Sequence, residues 1–178
     1  MYYSTVYPSP LGEITLASDG KNLTGLWFAG QKYHGAVVYK GMVKKAGVPV
    51  FDLAREWLNG YFKGGNPLIS DLPLAPAGTE FRQMVWRILC RIPYGELTSY
   101  GDIARKAAAI TGKNRISSRA VGGALGHNPV SIIIPCHRVV GAGGSLTGYG
   151  GGIERKIKLL ELEGVDMTRL YVPKKGVP

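Results

Sequence analysis

Ser99-Tyr100-Gly101-Asp102-Ile103-Ala104-Arg105-Lys106-Ala107-Ala108-Ala109, followed by Ser117-Ser118-Arg119-Ala120-Val121-Gly122-Gly123-Ala124-Leu125, decides how this chain folds. Ser99 with Asp102 three residues on has the pattern of a capping box, in which a hydroxyl and a carboxylate satisfy the free N–H groups of a helix start. Ser117 is placed to cap a second helix from Ser118 to about Leu125, which Gly126 and Asn128-Pro129 end. Between the helices, Thr111-Gly112-Lys113-Asn114 is a polar loop. Two short helices joined by a turn fit a helix-turn-helix arrangement. The second helix lacks the long polar side chains that read base edges in a major groove. It carries Ala and Gly behind one Arg, which suits close approach to a minor groove. Tight packing of Gly122, Gly123 and Ala124 inside the core is an equally physical use of small residues, and the helix alone leaves both readings open.

Before this unit, Thr79 can cap a helix starting near Glu80, with Phe81, Met84, Val85, Ile88 and Leu89 as its apolar stripe. Cys90 falls at the end of that stripe and is read as a packing residue. Residues 66–79, with Pro67, Pro73, Pro76 and Gly78, read as a linker. Further upstream, Glu13–Ser18 and Leu23–Phe28 flank the turn Asp19-Gly20-Lys21-Asn22 and predict a β-hairpin. Phe51 to Phe62 has helical spacing of Phe51, Leu53, Ala54, Trp57, Leu58, Tyr61 and Phe62, whereas Ala29 to Gly47 shows no clear period. The expected architecture is therefore mixed α/β (α+β): a small N-terminal α/β domain over residues 1–75 and a mainly helical domain over 76–178. Downstream, Val130-Ser131-Ile132-Ile133-Ile134 reads as a short buried strand or extended segment. Residues 141–152, with seven glycines, read as a tightly turned or mobile loop, and Ile153 to Leu162 as a final helix with Lys156 and Lys158 turned away from its apolar side.

The charge is uneven. Residues 1–80 carry 7 Lys and Arg against 6 Asp and Glu, while residues 81–178 carry 15 against 6, within a net charge of +10. Basic excess confined to one part of the chain suits a polyanion such as DNA, whose counterions it would release, although self-repulsion that keeps a protein dispersed has the same signature. The apolar runs are too short to cross a bilayer. The N-terminus has no basic start with a long apolar stretch, so no signal peptide and a cytoplasmic location are expected. Two cysteines lie far apart, and only three histidines occur (His34, His127, His137). Their spacing matches no common zinc motif, so no metal is expected.

The chemistry concentrates in Pro135-Cys136-His137-Arg138-Val139-Val140. A thiol attacks only as thiolate and needs a base to take its proton. His137 is adjacent in sequence and can serve through a bridging water if a carboxylate orients it, with Glu154, Glu161 and Glu163 as candidates that spacing does not separate.

The run Asn128-Pro129-Val130-Ser131-Ile132-Ile133-Ile134-Pro135-Cys136-His137-Arg138-Val139-Val140 closely resembles the active-site signature of the O6-alkylguanine-DNA alkyltransferases, also called methylated-DNA–protein-cysteine methyltransferases. The likeness extends over residues 81–164, including Ile92-Pro93-Tyr94-Gly95, Ser118-Arg119-Ala120-Val121-Gly122-Gly123-Ala124 and Gly151-Gly152. It implies a ribonuclease-H-like first domain and suicidal DNA repair without a cofactor, by a monomer acting on double-stranded DNA that contains O6-alkylguanine. By the same resemblance, Cys136 is the alkyl acceptor, His137 the water-mediated base, Glu163 the carboxylate behind it, and Asn128 the brace of the preceding turn. Tyr100 meets guanine N3. Arg119 enters the base stack vacated by the flipped nucleotide, and Ser118, Ala120, Gly122 and Gly123 lie against the minor groove. Leu125, Val139, Tyr149, Gly150 and Gly151 surround the flipped base. Ser131 stands where some members have Pro, and Gly150 where some have Ser. The loop holding Lys113 and Arg115 is longer than in some members, and the zinc-binding residues of some relatives have no counterpart. Two other readings are a lesion-binding protein of the alkyltransferase-like kind, which lacks the acceptor cysteine, and a Cys-His hydrolase, which would leave Arg119 and its helix unexplained.

Overall fold

In the computed structural model, which describes residues 1–32 and 41–174, the predicted hairpin is part of a larger sheet. Strands β1 (Tyr3–Ser9), β2 (Gly12–Ser18) and β3 (Leu23–Phe28) form an antiparallel meander, and the short β4 (Val43–Lys44) adds parallel to β1. Strand β1 lies upstream of the predicted hairpin, where Pro8 and two tyrosines (Tyr3 half-buried, Tyr7 buried) blur the alternation. Part of the stretch without a clear period, residues 33–40, lies outside the described residues. Helix α1 (Pro49–Phe62) buries Phe51, Ala54, Trp57, Leu58 and Tyr61. Leu53, counted in the predicted stripe, is 44% exposed instead, because it sits on the outer edge of the helix.

The helical half follows the capping signals. Helix α2 (Glu80–Leu89) starts at Thr79, whose hydroxyl accepts from Arg82 N. The short β5 (Thr98–Ser99) leads straight into α3 (Tyr100–Thr111), where both arms of the Ser99/Asp102 capping box form. Ser117 caps α4 (Ser118–Gly126) by accepting from Ala120 N. After a single 3₁₀ turn at Cys136–Arg138 come β6 (Val139–Val140) and, beyond the glycine-rich loop, α5 (Ile153–Leu162).

Two features position the site. First, β6 pairs parallel with β5, Thr98 opposite Val139 and Ser99 opposite Val140, so the start of α3 is tied to the segment that follows Cys136. Second, the outer edge of β3 is covered: Leu23 bonds to Pro73 and Ala75, and Leu26 bonds to Pro129 and Ser131. A sheet edge left bare would expose unpaired backbone groups. Here the edge is satisfied by the chain leading to the cysteine, and one continuous apolar core spans both halves.

Residues 130–134 are not a strand. Only Val130 bridges β3, and the chain then closes a tight turn, Ile133 N bonding to Ser131 O and Ile134 N to Val130 O. Ile132 sits at φ 69°, the one non-glycine residue of positive φ among those described, an uncommon and strained conformation for a β-branched side chain. The apolar run reflects complete burial of a turn in the core, with Ile132, Ile133 and Ile134 all inaccessible. A short buried run does not reveal its backbone path.

Candidate active site

Cys136 is buried, and its backbone N–H bonds to Ile134 O. Asn128, at the end of α4, organises the turn before it. Its Oδ1 accepts from Val130 N at 3.0 Å, and its Nδ2 donates to Ile134 O at 2.8 Å and to Cys136 Sγ at 3.2 Å. Burial pushes the Cys136 thiol up, against the opposing effect of the Asn128 donor. The resting group is therefore a thiol that needs a base at the moment of attack.

His137 is fully buried, with Nε2 2.6 Å from Glu163 Oε1. That contact makes Nε2 the protonated nitrogen and leaves Nδ1 as an acceptor. Nδ1 is buried and meets no protein donor or acceptor. Burial lowers the His137 pKa in spite of Glu163, so the imidazole is neutral and able to take a proton. The Tyr149 ring stands edge-on to it, 6.4 Å between centroids.

Glu163 follows the last turn of α5 and carries five donors. Oε1 accepts from His137, from the Tyr61 hydroxyl at 2.7 Å and from Arg138 Nη2 at 3.0 Å, and Oε2 accepts from Arg138 Nε at 2.8 Å and Gly95 N at 3.1 Å. Burial alone would raise this carboxyl, but the hydrogen bonds from His137 and Arg138 outweigh it and bring it down to about 2. The paired fork of Arg138, whose Nη1 also donates to Ile92 O at 2.7 Å, fixes the carboxylate plane. Of the three carboxylates that spacing left open, Glu163 is the one at the histidine.

Tyr100, the first residue of α3, donates to Thr147 O at 3.2 Å, and burial followed by the charge of Cys136 pushes it up to about 12. It lines a cleft of about 520 Å³ with Ser99, Ser118, Arg119, Gly122 and Gly148. A second cleft of about 310 Å³ lies across Gly122 and Gly148, walled by Gly123, His127, Tyr149 and Gly150. Ser118, Arg119, Ala120 and Gly123 are exposed along α4. A Cβ on Gly123 would meet nothing within 4 Å, and one on Gly122 would only touch Tyr100 at 3.8 Å. Core packing therefore accounts for Ala124, which is buried, but not for the two glycines. Gly151 differs: a Cβ there would come within 2.7 Å of the Tyr149 ring, so its smallness serves packing. Gly150 is half-buried beside Gln31, and Leu125 and Val139 are buried and line neither cleft.

Lys156 departs from expectation. It is fully buried, donating from Nζ to Val139 O at 2.5 Å and Thr147 O at 3.1 Å. A lysine inside an apolar helix face normally signals solvent exposure. Here the carbonyls of the glycine-rich loop and of β6 replace water, and burial brings its pKa down to about 8. Lys156, Arg138 and Tyr61 were not singled out in the sequence. Arg138 at least lies in the motif, whereas Tyr61 is 102 residues from its partner Glu163 and no local signal marks it. Cys90 is half-buried at the end of α2, its thiol pushed up to about 11 by burial. No cluster of three or more His, Cys, Asp or Glu side chains able to hold a metal occurs among the described residues, and no described helix is long and apolar enough to cross a membrane.

A buried cysteine, followed in sequence by a histidine held on a buried glutamate and set behind a helix-turn-helix, is the arrangement expected of a cysteine-based DNA-repair protein. The sequence profile of the 6-O-methylguanine DNA methyltransferase DNA-binding domain matches residues 80–165, and that of the family's ribonuclease-like domain matches residues 1–76. The methylated-DNA–protein-cysteine methyltransferase of Haemophilus influenzae is 43% identical over 92% of this chain and 87% of its own length. That of Mycobacterium tuberculosis is 47% identical over 92% of both. The crystal structure of the M. tuberculosis O6-methylguanine methyltransferase superposes with a TM-score of 0.78 at 46% identity, covering 92% of this chain and 93% of that one. The same protein in complex with DNA gives 0.77 over 91% of each. The chain belongs to the 6-O-methylguanine DNA methyltransferase family.

Proposed function

We propose that the protein repairs double-stranded DNA by moving the alkyl group of an O6-alkylguanine onto Cys136 Sγ, once per molecule and without a cofactor. The observation that carries this reading is the His137–Glu163 contact, which leaves Nδ1 of a neutral, buried histidine as the acceptor next to the cysteine. The thiol proton passes through one water to Nδ1, and the imidazolium is held by Glu163, which stays ionised throughout. Asn128 Nδ2 stabilises the thiolate. Sulfur attacks the alkyl carbon, an S–C bond forms, and the C–O6 bond breaks with its electron pair going to the guanine. Tyr100 then donates its proton, or a strong hydrogen bond, at N3.

The alkyl group lies inside the duplex, so the nucleotide is flipped out, at a cost of a few kcal/mol. Arg119 fills the stack, and α4 lies in the minor groove with Ser118, Ala120, Gly122 and Gly123 against the backbone. The base enters between Tyr100 and the loop of Tyr149, Gly150 and Gly151, and meets the buried Leu125 and Val139 only as that gap opens. Entry requires the Tyr100 hydroxyl to exchange Thr147 O for the base, because the two residues close the gap between α3 and the loop. The protein acts as a monomer in the cytoplasm, on the chromosome. The presence of Cys136, with His137 held on Glu163 beside it in sequence, disfavours a role confined to lesion binding. The test is intact-mass analysis after incubation with duplex DNA carrying O6-methylguanine. A gain of about 14 Da, one CH₂ on a thiol, is expected, against none with unmodified duplex. Tight binding without a mass gain would overturn it.

A further inference from the structure

Every donor on Glu163 but one comes from the helical half. The exception is Tyr61, from α1, whose hydroxyl lies 2.7 Å from Glu163 Oε1 and 3.5 Å from His137 Nε2. Its ring is fixed, stacked on Trp57 at 5.5 Å and edge-on to Phe62 and Tyr94 at 5.5 and 6.1 Å. It is 1% exposed. The core packing of α1 would be served equally by phenylalanine. A hydroxyl there has one use, the carboxylate.

We infer that Tyr61 is a positioning residue for alkyl transfer, through which the N-terminal half sets the orientation and basicity of His137. The inference rests on the proposed transfer reaction. His137 and Tyr61 share one carboxylate oxygen. With Arg138 Nη2 as the third donor on that oxygen, the imidazole is confined to the rotation that turns Nδ1 away from Glu163. The phenol also draws off part of the carboxylate charge, which weakens the pull of Glu163 on the imidazolium. Without the hydroxyl, Oε1 is shared only by His137 and Arg138 Nη2, becomes a stronger acceptor for His137, and the charged histidine gains stability. Burial and the Glu163 charge push the Tyr61 phenol far above its ordinary value, so it remains a donor at every pH at which the protein works.

The test is the titration of His137 followed by NMR in the full chain, with His137→Gln identifying its signal among three histidines. Tyr61→Phe keeps the ring. It is expected to raise the His137 midpoint by roughly half a unit to one unit, the scale of a fraction of one hydrogen bond to a charged group. The acid limb of the transfer rate against pH should move up by the same amount, with duplex and with free O6-alkylguanine alike. Tyr94→Phe is the control: it removes a neighbouring hydroxyl that bonds to Leu162 O, not to Glu163, and should leave the His137 midpoint in place. An unmoved or lowered midpoint in Tyr61→Phe, or an equal shift in Tyr94→Phe, overturns the inference. If the wild-type chain gained no alkyl group, the transfer reading would fail separately, while the histidine titration would still decide what Tyr61 does to His137.

Discussion

Asn128 Nδ2 lies 3.2 Å from Cys136 Sγ while its Oδ1 holds Val130 N, so one amide side chain both shapes the turn and touches the acceptor sulfur. Asn128→Ala leaves Val130 N–H without its partner in the core, while Ile134 C=O keeps the bond from Cys136 N–H. The loss is about 1–3 kcal/mol for the buried group left unpaired. Thermal denaturation is expected to show a lowered Tm, and single-turnover transfer a fall of more than tenfold. Unchanged transfer in a folded Asn128→Ala protein would remove its role at the sulfur.

Acid should unfold the protein in two stages. His137 has a folded pKa below its unfolded value of about 6.5. Its contribution is complete above that value and is lost as pH falls below it, where the unfolded chain binds the extra proton. Glu163, depressed from 4.5 to about 2, contributes stability above its unfolded value that is lost as pH falls toward its folded one. Urea midpoints measured from pH 8 down to pH 3 should decline from near neutrality and then steepen below about 4.5. His137→Gln should abolish the first decline and keep the second.

Lys156 acts in the same sense as His137, in a higher pH window. Its folded pKa, about 8, lies below the unfolded value near 10.4. Above pH 8 the unfolded state binds more protons than the folded one, so this residue's contribution grows with pH until both forms are neutral. The stability difference between wild type and Lys156→Met should therefore shift toward wild type between pH 8 and 10. At neutral pH, Lys156→Met frees Val139 O and Thr147 O, and transfer should slow by roughly tenfold, the effect of displacing groups that position a reactant.

Arg119 and Gly123 separate DNA handling from chemistry. Arg119→Ala should slow repair of duplex DNA while leaving reaction with free alkylguanine base near the wild-type rate. Gly123→Leu meets no neighbour at Cβ and replaces a poor helix former, a gain of up to about 0.8 kcal/mol. Its Tm should hold or rise, while duplex affinity measured by fluorescence anisotropy drops. Retained affinity would mean that the backbone of α4 does not approach DNA.

How much of this was legible in sequence depends on how local the cause is. Thr79, Ser99 and Ser117 each accept from the N–H three residues on, so their caps and the helices they open are written in nearby residues. The hairpin of β2 and β3 and the cysteine motif are local in the same sense. The turn at 130–134 is not. Its burial comes from β3, more than a hundred positions earlier, and burial erased the alternation by which a strand or a turn is told apart. Lys156 was read as outward because a lysine is costly to bury, and its carbonyl partners belong to a loop whose path the glycines leave undetermined. Tyr61 was read correctly as an apolar-face residue of α1. Its hydroxyl partner is a product of the packing of the two halves.

The most direct test of the central claim is a titration of the protein against excess duplex carrying O6-methylguanine, counting restored guanines and locating the methyl group by peptide mass. The expected result is a plateau at one guanine per chain, with every methyl on the peptide containing Cys136 and none on that containing Cys90. Repair continuing past one guanine per chain, or a chain that restores guanine with Cys136 unmodified, would contradict it.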